Sequence, residues 1–116
     1  MDDTCAAFQA IAGCDEALGK VVNAASNFEV SIGDTADLIG EVMNLELEIL
    51  TDEQRFRPDG SEVNRLFGDN SLLRQLTGWQ PAYGGLEGFR RGLARTAEWF
   101  SDPANLARYR PGSYVV

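Results

Sequence analysis

The apolar positions of this chain repeat with two periods, and the switch between them sets the expected elements. Ala7, Ile11, Cys14 and Leu18 recur at i, i+4, i+7 and i+11, one stripe of a helix. Asp2, Asp3 and Thr4 precede the stripe as acids and a capping side chain at a helix start, and Gly19 is the expected terminator. Val21–Ala25 then reads as a buried strand, Ser26-Asn27 as a turn, and Phe28–Val30 as a short second strand. Ser31-Ile32-Gly33-Asp34 is a capping-box variant with Asp in place of Glu. It opens a helix whose stripe is Thr35, Leu38, Ile39 and Val42, and Asn44 stops it. Leu45, Leu47 and Ile49 alternate with Glu46 and Glu48, the period of a strand with one wet face.

From Arg55 to Pro81 the pattern is mostly irregular, apart from a short helix at about 71–77 that Gly78 ends; Pro81 forbids its continuation. A strong helix is expected from Leu86 to about Ser101, with Leu86, Phe89, Leu93, Ala97 and Phe100 on one face and Arg90, Arg91 and Arg95 on the other. One or two further turns follow over 103–108, and the tail 109–116 reads as extended. The expected fold is α+β: one small domain over 1–116, with three to five helices and a few short strands.

Composition narrows the chemistry. The 116 residues form a single domain able to bury one core. No apolar run approaches the roughly 20 residues of a membrane span. The acidic start is unlike a signal peptide, so the expected location is the cytoplasm. A net charge of −8 argues against nucleic acid as partner. That charge is unevenly spread. Residues 1–54 hold twelve acids and one base, Lys20, whereas residues 55–116 hold six acids and nine arginines. Arg offers a planar fork for phosphate or carboxylate that Lys lacks, although arginines on a helix face are also ordinary solvated charge. The chain has no His, which removes Ser-His and Cys-His pairs and imidazole metal ligands. Cys5 and Cys14 fall in one expected helix, ~13 Å apart along its axis, beyond the ~7 Å that a disulfide spans.

Two glycine-rich or basic stretches are candidates for anion binding. Gly84, Gly85 and Gly88 lack the spacing and the preceding strand of a dinucleotide loop and read as a turn and helix start. Arg55 and Arg57 lie two apart, on one side of an extended chain. Pro58 holds Arg57 in extended geometry, so its guanidinium is placed to grip a diphosphate through bidentate bonds. Glu62 is placed to accept from ribose hydroxyls. Spacing alone allows a second reading equally, in which Arg55 pairs with Asp52 or Glu53, and Glu62 with Arg65.

Several short motifs then occur in a particular order. They are Val22–Ser26, Glu29–Ile32, Arg57-Pro58, Ser61–Val63, Gly68–Ser71, Leu76–Trp79 with Pro81, and Thr96 with Trp99-Phe100. Together, over nearly the whole chain, they resemble the C-terminal part of extended short-chain dehydrogenases/reductases. These are NAD-dependent nucleotide-sugar epimerases and dehydratases, and the wording is closest to the 4,6-dehydratase branch. The resemblance implies that Arg57 contacts the nucleotide diphosphate and Glu62 the ribose, with Arg55 beside them. It also implies that Asn23, Ser31, Asp69 and Trp79 shape the fold. Leu72 stands where the family usually has Lys, and Phe89 where it has Leu. The family's catalytic Tyr-x-x-x-Lys and its Gly-rich cofactor motif do not occur in this sequence. The implied function is therefore binding of a UDP- or GDP-linked sugar by the substrate-binding portion alone. No catalytic residue, metal or NAD site is expected in the chain, and it is expected to act as a homo-oligomer or with a Rossmann domain. The alternative is a free-standing binding or protein-interaction module derived from that fold.

Overall fold

The structure is a computed structural model, and it describes residues 1–50 and 65–108. Five helices carry it: α1 Asp2–Ala12, α2 Ile32–Met43, α3 Ser71–Thr77, α4 Gly85–Ser101 and α5 Pro103–Leu106, with a 3-10 turn at Asp15–Ala17. The helix expectations hold best where a local signal defines an end. Ser31 Oγ accepts from the Asp34 N–H at 2.9 Å and donates to Asp34 Oδ2 at 2.7 Å, so the capping-box variant opens α2. Asn44 closes it in the left-handed region at φ 53°, and Gly78 closes α3 at φ 71°. Asp102 caps α5 through the Ala104 N–H at 2.8 Å, with Pro103 at its first position.

The first helix is shorter than its stripe. It ends at Ala12, and the chain turns at Gly13 into the 3-10 turn before reaching Gly19 at φ 72°. Gly inside a helix costs about 1 kcal/mol relative to Ala. A tertiary contact also pulls the chain aside there, because Cys14 lies 3.6 Å from the Leu76 carbonyl, which its Sγ–H faces. Cys14 is thus outside the helix that holds Cys5, and both thiols are free.

The α+β expectation is wrong. Among the described residues there is no strand, and the fold is helical. The segments 21–25, 28–30 and 45–49, read as strands from alternation, run without regular structure. Alternation describes which side chains face inward, but a strand exists only when a neighbouring backbone pairs with it. No described residue supplies a ladder partner to Val21–Ala24 or Glu46–Leu50. Leu45 instead folds back on α2, its N–H donating to the Gly40 carbonyl at 2.9 Å. Gly40 is buried beneath it: a Cβ there would lie 2.9 Å from the Leu45 oxygen and 3.3 Å from Leu47 Cγ.

Packing forms two groups. α1 packs on α3, and the cluster between them is Ala7, Leu73 and Trp79, flanked by Ala10, Ile11 and Val22. Leu73 is its floor at 1% exposure. α2 packs on α4, which also carries α5. Leu38 of α2 is buried, and Phe28 meets Phe89 of α4 with ring centroids 6.1 Å apart. The buried hydrophobic residues among those described are only Ala7, Leu38, Leu73 and Trp79, while Phe8, Leu18 and Ile32 are left exposed. No helix of the described residues is long and apolar enough to cross a membrane.

Candidate functional site

The three residues assigned to ligand binding, Arg55, Arg57 and Glu62, lie outside the described residues. What the structure does describe is how the downstream end of their segment is anchored. Asn27, in the left-handed region at φ 51°, turns its side chain so that Oδ1 accepts the Asn70 N–H at 2.8 Å. The Asn70 amide in turn donates to the Ala25 carbonyl at 2.7 Å. Asn70 is only 5% exposed, which makes it the buried polar side chain of the described chain. Gly68 completes the latch by close approach: a Cβ there would lie 2.5 Å from that of Ala25. Arg65 closes the outer edge with a two-pronged pair to Glu29, Nε to Oε1 at 2.8 Å and Nη2 to Oε2 at 2.6 Å.

The electrostatics follow from these contacts. The hydrogen bond from Arg65 holds the Glu29 carboxyl below its ordinary value, and Glu29 raises the Arg65 guanidinium. Asp69 accepts both the Ser71 hydroxyl at 2.5 Å and the Ser71 N–H at 2.8 Å, and these bonds hold its carboxyl down. Asp69 therefore organises the start of α3. Both lowered carboxyls are held in the ionised form at neutral pH, Glu29 by a side-chain pair and Asp69 by two bonds to its Oδ1.

A second polar cluster joins the chain's beginning to α4. Asp3 accepts the N–H groups of Ala82 at 2.8 Å and Tyr83 at 3.0 Å through its two oxygens. Arg95 donates to Asp2 and to the Tyr83 hydroxyl, the latter at 2.9 Å. Its guanidinium is raised chiefly by the Tyr83 hydrogen bond and then by Asp2. An open cavity of about 440 Å³ lies beside Asp2, Asp3, Tyr83, Phe89, Arg95 and Thr96. Of its charged side chains, Arg95 and Asp2 pair with each other and Asp3 is taken up by backbone N–H groups. Sequence reading took Asp2 and Asp3 as helix-start acids and gave no hint of partners some eighty residues on.

Three of the six arginines among the described residues are ion-paired inside the chain. Arg65 pairs with Glu29, Arg90 with Glu41 at 2.8 Å, and Arg95 with Asp2. The uneven charge of the two halves thus becomes a set of exposed cross-chain ion pairs. Of the residues the resemblance marks as shaping the fold, Ser31 caps α2, Asp69 starts α3, and Trp79 is buried in the cluster with Ala7 and Leu73. Asn23 is exposed. Gly84 and Gly85 form the turn into α4, as their spacing suggested. Among the described residues no cluster of His, Cys, Asp or Glu is arranged to hold a metal ion.

No known family profile, curated protein sequence or solved structure matches this chain.

Proposed function

We propose that the chain holds a nucleotide sugar, UDP- or GDP-linked, through Arg57, Glu62 and Arg55, and performs no chemistry on it. In this reading it is the substrate-binding portion of a unit like the extended short-chain dehydrogenases/reductases. Hydride transfer belongs to a cofactor-binding fold elsewhere.

The observation that carries the reading is the latch between 25–29 and 65–70. Binding residues work best on segments whose ends are held by a rigid frame. Here a buried amide, a glycine contact and a bidentate ion pair hold Arg65, Gly68 and Asn70, which begin three positions after Glu62. The same latch bears on the competing interpretation. Arg65, the base that local spacing offers to Glu62, is engaged by Glu29.

Calorimetric titration with UDP- and GDP-sugars tests this. Binding is expected, and Arg57→Ala is expected to weaken it by about 10- to 100-fold, the worth of one or two charge-assisted hydrogen bonds. No heat from either nucleotide class at millimolar ligand would overturn the reading. NAD is expected not to bind, because the one glycine turn ahead of a helix among the described residues, Gly84-Gly85 before α4, has neither the spacing nor the preceding strand of a dinucleotide loop.

A second reading, an interaction module, is favoured by one observation: the large apolar side chains left exposed on and beside α1.

A further inference from the structure

We infer that the edge of α1 that carries Phe8, with the hollow beside it, is the meeting surface of a two-fold dimer of this chain. The inference does not rest on nucleotide-sugar binding.

The face carries a projection and a recess that fits it. Phe8 stands out from the middle of α1 at 71% exposure. Beside it lies a hollow of about 130 Å³, lined by Thr4, Ala7, Ile11, Val22, Ala24 and Leu73 and walled by Phe8 itself. A dry cavity of ~150 Å³ takes a benzene ring, so the hollow is near the size of a phenyl group. None of its lining side chains is charged. Ile11 and Val22 continue it into a second recess, of about 400 Å³, where Leu18 stands at 78% exposure.

A knob and its hole on one patch are what a two-fold axis satisfies. In such an isologous contact, each copy presents the same surface, so each Phe8 enters the other's hollow at once. A different partner would have to supply both a ring and a socket. Charge points the same way. Two copies at −8 each repel, and the hollow at Phe8 lets them meet at the axis with no carboxylate in its lining, Asp15 and Lys20 lining only the second recess. Area is sufficient in kind. Phe8 and Leu18 alone expose on the order of 300 Å², a third or more of the ~800 Å² per partner in a stable interface. The walls of the two recesses add to it. An aromatic anchor seated in an apolar pocket at the centre is the usual arrangement of an energetic hot spot.

Sedimentation equilibrium on the whole chain, over about 5–500 µM, reads the result. Wild type is expected to dimerise. Phe8→Glu removes the knob and places a charge at the axis. Ala24→Phe fills the hollow from an exposed position and leaves Phe8 in place. Each is expected to weaken the dimer at least 30-fold, as for a hot spot of 2 kcal/mol or more, with the far-UV circular dichroism unchanged. Leu106→Glu, on α5, is expected to dimerise as wild type. A wild type that stays monomeric at every concentration overturns the proposal. So does dimerisation of folded Ala24→Phe with the wild-type constant, which decides the matter even if Phe8→Glu fails to fold.

Discussion

Replacing Asn70 with Ala isolates one bond of the latch that holds the proposed binding segment. The side-chain amide donates to the Ala25 carbonyl at 2.7 Å from a site only 5% exposed. Truncation leaves that carbonyl without its donor. A buried polar group stranded in this way costs about 1–3 kcal/mol, and partial burial of the pair places the expected loss near ~2 kcal/mol. Two other effects do not add to it. The Asn70 N–H keeps its bond to Asn27, because truncation leaves the backbone intact. No helix cap is lost either, since the Asn70 side chain makes no capping bond to α3. At about 4 °C per kcal/mol for a chain of this size, Tm is expected to fall by roughly 8 °C. Thermal and urea unfolding followed by far-UV circular dichroism measure it. Asn70→Asp keeps the shape but sets a carboxylate against the Ala25 carbonyl, and is expected to be worse than Ala. Asn27→Ala removes the other half of the latch, and its effect is expected to be non-additive with Asn70→Ala by 0.5 kcal/mol or more. A change within about 0.5 kcal/mol of wild type for Asn70→Ala, the range of an ordinary surface substitution, would refute the claim that this bond holds the segment. Nucleotide-sugar affinity in the same variant then tells whether the latch matters for binding.

Two further outcomes are expected. Gly88→Ala should destabilise despite the better helix propensity of Ala, because a Cβ there would meet Tyr83 Cα at 2.8 Å and its carbonyl oxygen at 2.9 Å. Backbone cannot swing aside as a side-chain end can, so overpacking of about 1–3 kcal/mol outweighs a propensity gain of about 1 kcal/mol, and Tm falls. The Glu29–Arg65 pair should give acid-dependent stability. The native Glu29 carboxyl is lowered, so its contribution is complete above the unfolded glutamate range and is lost as pH falls through the lowered native value. The Tm gap between wild type and Glu29→Gln is expected to be open at pH 7 and to narrow as pH falls through the lowered native value; a gap that stays constant with pH would refute the pairing.

Local signals determined most of the helical skeleton. Ser31 with Asp34, Asn44, Gly78 and the Asp102-Pro103 pair each act within a turn of their own position, and each ends or begins a helix where its chemistry says it must. The face of α4 was legible as well: Phe89, Leu93, Ala97 and Phe100 are half-buried, as the period of 3.6 required. Leu86 is the exception, half out at the helix start. The sequence also determined that imidazole chemistry is out of reach, since a chain without His has no Ser-His or Cys-His pair and no imidazole metal ligand.

Only the tertiary structure decided the rest, and the reason is range. Leu45, Leu47 and Ile49 alternate as a strand does, but pairing is a contact with distant backbone that no alternation encodes; here Gly40 receives the segment instead. Gly88 read as part of a turn, and its need for a bare Cα came from Tyr83 folding against it. Asp3 read as a helix-start acid until the backbone of Ala82 and Tyr83 arrived to occupy both of its oxygens. The arginines of the second half looked available for an anionic ligand because composition counts charges without their neighbours. Folding brought Glu29, Glu41 and Asp2 to three of them. The exposed Phe8 and the hollow beside it belong to the same class: a helical stripe predicts which face turns inward, but only the packed chain shows which apolar surface is left uncovered.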